Sequence, residues 1–122
     1  MRSIATAELL YPETALCIAL LETGGFRARW MMKHHNWFGF RRNRRNYQTR
    51  TERGYNVYAD PQTMLRDYAE FERDTCQRYS LLTEGAFREW VFINYAEDPN
   101  YKKKFLQNLK QIQTNEELDR FF

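Results

Sequence analysis

The sequence is poor in the residues that most often mark special chemistry: 2 cysteines, 2 histidines, 3 prolines and 5 glycines in 122 positions. The two histidines, His34 and His35, are adjacent, so a helix would aim them apart, and both cysteines are distant in sequence. No metal site and no cofactor is expected from that pattern. Cys17 and Cys76 each fall in a helical pattern, where a free thiol behaves as a small buried hydrophobe. Whether they pair depends on a distance the sequence does not contain. No stretch approaches the roughly 20 apolar residues of a membrane span. At the start, Glu8 stands where the apolar core of a signal peptide would continue, so no export signal is visible. Repeats and low-complexity linkers are also missing, and residues 1–122 read as one domain.

What is present points to a globular protein: 43% of residues are hydrophobic and 16% aromatic, too many for a disordered chain. The net charge of +3 is small but uneven. Arg41, Arg42, Arg44, Arg45, Arg50 and Arg53 lie close together, with Glu52 the only acid among them. Such a block is either a solvated loop or a face for an anionic partner. Tyr47 and Tyr55 lie near enough to stack bases, but the basic residues cluster in one loop without a nucleic-acid motif, and nucleic acid is not the expected partner.

The chain is organised around residues 14–40. Pro12 suits the first position of a helix running to about Thr23, and its apolar character from Ala15 to Leu21 predicts burial on nearly all sides. Glu22 lies on the face of Ala15, Ile18 and Ala19, in the last turn before the Gly24-Gly25 stop. Partial burial and the negative end of the helix dipole both favour a raised pKa, as a general acid requires. The other reading pairs Glu22 with Arg27 or Arg29.

Phe26 to His34 is compatible with a second short helix with Trp30 and Met31 inward. Asn36 to Phe40 combines a turn-prone amide, large aromatics and Gly39. Phe38 reads as a plug in the core, and Asn36 and Trp37 as the better candidates for a cleft, where an amide and an aromatic face can meet a ligand. Tyr55 to Tyr58 alternates as a strand does, with Gly54 at the preceding turn, which predicts a small hairpin of two or three strands. Asp60-Pro61 opens a helix to about Tyr79, with Met64, Leu65, Tyr68, Phe71 and Thr75 inward and Asp67, Glu70 and Arg73 outward. Thr83 caps the next helix, which Tyr95 ends. Asp98-Pro99 opens another through Tyr101, Phe105, Leu109 and Ile112. Thr114 with Glu117 reads as a capping box for a last short helix ending at Phe122, and Ala5 to Leu10 as one or two helical turns.

Four ordered segments carry a resemblance. Ala19-Leu20-Leu21-Glu22-Thr23-Gly24 and Asn36-Trp37-Phe38-Gly39-Phe40 resemble the "LETG … N-L-F-G-I" pair of the glucosaminidase family of peptidoglycan hydrolases, glycoside hydrolase family 73. Gly54-Tyr55-Asn56-Val57-Tyr58 with Leu65-Arg66-Asp67-Tyr68, and Tyr95-Ala96-Glu97-Asp98-Pro99-Asn100-Tyr101, resemble its "Y-x-V-Y … S-L-x-D-Y" and "YATDPxY" segments. Trp37 stands where the family usually has a smaller aliphatic residue.

The resemblance implies a mainly α, lysozyme-like domain with a small β-hairpin lobe, and an endo-β-N-acetylglucosaminidase acting on the glycan strand of peptidoglycan. It makes Glu22 the general acid and Tyr95 a cleft phenol near the scissile bond, with Tyr101 beside the substrate. The family often carries a second carboxylate in the hairpin lobe. Glu52, the only acid between Glu22 and Asp60, fills that role by elimination, against its alternative as a salt bridge within the arginine block. A non-catalytic peptidoglycan-binding domain and an N-acetylmuramidase are the rival readings. The implied site of action is the periplasm, cell wall or exterior, so a chain without an export signal would be a trimmed domain or exported by other means, as in a phage.

Overall fold

The structure, a computed structural model, describes residues 8–95 and 98–115. Its elements are α1 (Pro12–Glu22), α2 (Arg29–Lys33), β1 (Arg50–Glu52), β2 (Tyr55–Val57), α3 (Pro61–Arg78), α4 (Glu84–Asn94) and α5 (Tyr101–Asn115). The domain is mainly helical with one two-stranded antiparallel sheet, in line with the expected class.

Helix α1 is the central rod. Thr14 to Ala19 are fully buried, and the helix packs along α5 through Phe105, Leu109 and Ile112. An all-round apolar surface can be stable only where neighbours cover every side, and here they do. Thr14 sits inside that rod, and its hydroxyl is satisfied from α4. It donates to Glu84 Oε2 at 2.9 Å and accepts from Arg88 Nε at 2.8 Å, while Arg88 closes onto Glu84 at 3.0 Å. Cys17 and Cys76 are free thiols, and burial pushes the Cys17 thiol up to about 12, far from a reactive thiolate.

The hairpin forms as Gly54 predicts. Arg53 and Gly54 have φ of 52° and 84°, both left-handed, as a two-residue type I′ turn between antiparallel strands requires. Arg41 adds a single antiparallel bridge to Tyr55 in place of a third strand. The simple alternation expected here fails, because Asn56, Val57 and Tyr58 are all buried.

Helix α3 starts as its sequence dictates, with Asp60 Oδ1 accepting from the Thr63 amide at 2.7 Å, and Thr83 caps α4 through the Ala86 amide at 3.1 Å. Two other expectations need correction. Asp67 is fully buried instead of outward, because it accepts from Arg45 Nε and from the Tyr58 hydroxyl and so locks the arginine-rich loop onto α3. Arg45 in turn lies 5.1 Å over the Phe40 ring. Helix α5 begins at Tyr101, with Asp98 Oδ1 holding the Asn100 amide at 2.8 Å just before it. Thr114 is inside α5, its hydroxyl donating to the Lys110 carbonyl at 2.8 Å, and its expected partner Glu117 lies outside the described residues. The turns expected at Ala5 to Leu10 lie largely, and the last helix entirely beyond α5, outside the described residues.

A second buried acid on α3 makes stability depend on pH. Glu72 is fully buried, accepts from the Leu10 amide at 2.6 Å, and stands beside the Tyr68 hydroxyl. Burial raises its pKa to about 7. A carboxyl raised on folding contributes stability that is complete below its unfolded pKa and is lost as pH rises through the folded one. That contribution, about 3 kcal/mol, is expected to disappear between about pH 4.5 and 7.5. Urea denaturation across that range should show wild-type stability falling relative to Glu72→Gln. Parallel curves would contradict the assignment.

Candidate active site

The end of α1 is a complete Schellman turn. The Gly25 amide bonds the Leu20 carbonyl at 2.8 Å and the Gly24 amide the Leu21 carbonyl at 3.4 Å, with both glycines at positive φ. Thr23 is buried and reinforces it, donating to the Ala19 carbonyl at 2.7 Å and accepting from the Phe26 amide at 2.8 Å. The helix therefore stops sharply one residue after Glu22. Its carboxylate is half-buried at the wall of an open cleft of about 750 Å³.

Opposite Glu22 runs the Phe38-Gly39-Phe40 turn. Gly39 has φ +69°, and a Cβ there would stand 3.5 Å from Glu22 Oε2. The backbone thus passes directly against the carboxylate in a conformation that costs a side chain strain. Asn36 holds this turn from behind. It is fully buried, accepts from the Phe40 amide at 3.0 Å, and donates through Nδ2 to the Phe40 and Asn56 carbonyls, each at 3.0 Å. All its hydrogen-bonding capacity toward the turn is used inside the protein, so its position corrects the expectation of a cleft amide. Trp37 also points away from the cleft, packing edge-on against Phe26 at 5.3 Å between centroids.

Tyr95 and Tyr101 line the cleft with Glu22. The Tyr95 hydroxyl donates to the Phe38 carbonyl, which ties the end of α4 to the same turn. Burial, and then the charge of Glu22, raise the pKa of both phenols well above the ordinary tyrosine value. Tyr101 is 6% exposed, and its hydroxyl finds no hydrogen-bond partner among the described residues.

Glu52 is on the hairpin but is not part of the cleft wall. Arg50 grips its Oε1 through Nε at 3.1 Å and Nη2 at 2.9 Å, and His34 Nε2 lies 3.6 Å from its Oε2. The hydrogen bond from Arg50 is the main cause that lowers its pKa, so it stays ionised at neutral pH. The salt-bridge alternative for Glu52 is thus present in the structure. The rim beside it is aromatic: Trp30 packs 4.7 Å from His34 and 6.0 Å from Tyr55, the residue that faces Glu52 across the hairpin.

The structure brings together Glu22, Tyr95 and Tyr101 from the predicted set and adds Trp30, Arg41 and Tyr55 to the same wall. Trp30 was legible as a large aromatic on a short helix, but its inward direction did not tell core from cleft. A carboxylate at the end of a buried helix thus faces a glycine turn and two phenols across an open groove. The chain belongs to the glucosaminidase family, described as mannosyl-glycoprotein endo-beta-N-acetylglucosaminidase, which matches residues 1–114. No curated protein and no solved structure gave a match.

Proposed function

We propose that the protein is an endo-β-N-acetylglucosaminidase that cuts the peptidoglycan glycan strand after N-acetylglucosamine, with Glu22 as the general acid. The observation that carries this reading is the Glu22 carboxyl, held at the cleft wall by the abrupt end of α1 and faced by Gly39, where an added Cβ would stand 3.5 Å from its Oε2. Family membership supports a glycoside hydrolase, and the wall-hydrolase segments of the sequence favour peptidoglycan over the glycoprotein glycan of the family's description.

In this reading Glu22 protonates the leaving glycosidic oxygen as the bond lengthens. The Tyr95 hydroxyl directs its proton to the Phe38 carbonyl in a hydrogen bond, so it meets the sugar with an oxygen lone pair, suited to the acetamido N–H. Tyr101 retains a hydroxyl proton for a sugar oxygen. Trp30 and Tyr55 offer aromatic faces to the apolar side of a pyranose.

In this reading Glu52, on the hairpin outside the cleft wall, is the second carboxylate. Because Arg50 keeps it ionised, it suits stabilisation of the cationic ring or activation of a water, and leaves proton donation to Glu22. Glu52→Gln is expected to slow cleavage about a hundredfold at unchanged stability. A variant as fast as wild type would shift the second role to the substrate's own acetamido group. Site of action follows from substrate, outside the cytoplasmic membrane, and no described helix is long and apolar enough to cross one.

The substrate class is tested by incubating the protein with dye-labelled sacculi and, separately, with a high-mannose glycoprotein. Dye release without glycoprotein deglycosylation is expected; deglycosylation without dye release would overturn the peptidoglycan assignment.

A further inference from the structure

Of the six arginines in the basic block, Arg41 alone lines the cleft. Arg45 is spent on Asp67, and Arg50 on Glu52. The Arg41 guanidinium is held in place by neutral groups. Its carbon lies 4.5 Å over the Tyr55 ring, and Nη2 donates to the Tyr55 hydroxyl at 3.2 Å. Nη1 occupies the space above Gly54, 3.1 Å from where a Cβ would stand, so any larger residue there would push it aside.

No carboxylate among the described residues pairs with Arg41. Of the acids at the cleft and hairpin, Glu22 lines the same cleft, Glu52 is engaged with Arg50 and His34, and Asp98 with Lys104 at 2.5 Å. The other cation of the cleft wall, Lys104, is thereby neutralised. A stacked guanidinium loses little freedom on binding, and its planar fork matches a carboxylate.

We propose that Arg41 is a specificity-determining residue that binds a carboxylate carried by the glycan substrate. The inference rests on the glycan-cleaving reading above and adds the chemistry by which the cleft separates acidic strands from neutral ones. The carboxylate has two sources in peptidoglycan: the peptide stem, or the lactyl group once the stem is removed.

The test is calorimetric binding, at physiological ionic strength and in a Glu22→Gln background that limits turnover. The probes are soluble peptidoglycan strands with stems, the same strands with stems removed, and a neutral N-acetylglucosamine oligomer of equal length. Arg41→Gln should weaken binding of at least one acidic strand about tenfold or more, leaving the neutral oligomer unchanged. Which acidic strand responds identifies the carboxylate. Arg41→Lys should restore only part of the loss, and Tyr55→Phe, which keeps the ring but removes the anchoring hydroxyl, should give a smaller loss of the same selectivity.

Equal weakening on acidic and neutral glycans, or no weakening on either acidic strand, would overturn the proposal, as would a protein that binds none of the probes. A charge-selective loss in a protein whose wild type cleaves no strand would uphold Arg41 and refute the hydrolase reading alone.

Discussion

Glu22→Gln is expected to lower the rate of glycan-strand cleavage about a thousandfold while glycan binding and melting temperature stay close to wild type. Glutamine keeps the volume and one acceptor oxygen but cannot release a proton to the leaving group. The position is not needed for the integrity of α1, whose end is fixed by the Gly24 and Gly25 amides and by Thr23 rather than by the carboxylate. Loss of the negative charge should also ease ionisation of Tyr95 and Tyr101, because Glu22 contributes to raising both. Ultraviolet pH titration of the variant would then show those phenols titrating lower than in wild type. A variant that retained more than about a tenth of the rate would remove Glu22 from proton transfer.

Asn36→Ala is expected to cost about 4 kcal/mol of stability, more than a typical point substitution. The side chain satisfies the Phe40 amide and two carbonyls, those of Phe40 and Asn56, all within a fully buried site. Truncation strands the Phe40 amide and the Asn56 carbonyl, leaves the Phe40 carbonyl with the Asn56 amide alone, and opens a small cavity, which is costly where water cannot reach. The damage is not local to the core. The same turn carries Gly39 against Glu22 and receives the Tyr95 hydroxyl, so the variant should lose activity together with stability. Thermal melting about 15 °C below wild type, with weakened cleavage at low temperature, is the predicted combination. A melting point within a degree or two would mean that the amide does not hold the turn.

The parts of the fold set by local chemistry were readable. Pro12 with an unbroken apolar run gave a buried rod, Gly24-Gly25 its stop, Asp60-Pro61 and Thr83 their helix starts, and Gly54 the hairpin turn. The misreadings of Asp67 and Asn36 share a cause: they concern polar side chains with partners distant in sequence. Asp67 lies three residues after Met64 and so falls on the inner stripe of α3, but only Arg45 and Tyr58, brought in by the loop and β2, make burial of an acid tolerable. Glu72 is inward for the same reason, matched to a backbone amide before α1. For Asn36 and Trp37 the sequence indicated a turn but not the side on which each chain lies, and burial of Asn36 was decided by two carbonyls that needed a donor. The cleft was legible where a motif fixed backbone and side chain together, as at Glu22. Arg41 was invisible as an individual, since its five companions in the block have the same charge and only its seat on Tyr55 and Gly54 distinguishes it.

The measurement that bears most directly on the account is the chemistry of the ends made when intact peptidoglycan is digested by wild-type protein and by Glu22→Gln, with borohydride reduction followed by mass spectrometry. New reduced N-acetylglucosamine ends, absent with the variant, are the predicted result. Reduced muramic ends would make the enzyme a muramidase, and a folded wild type that creates no new ends would contradict catalysis altogether.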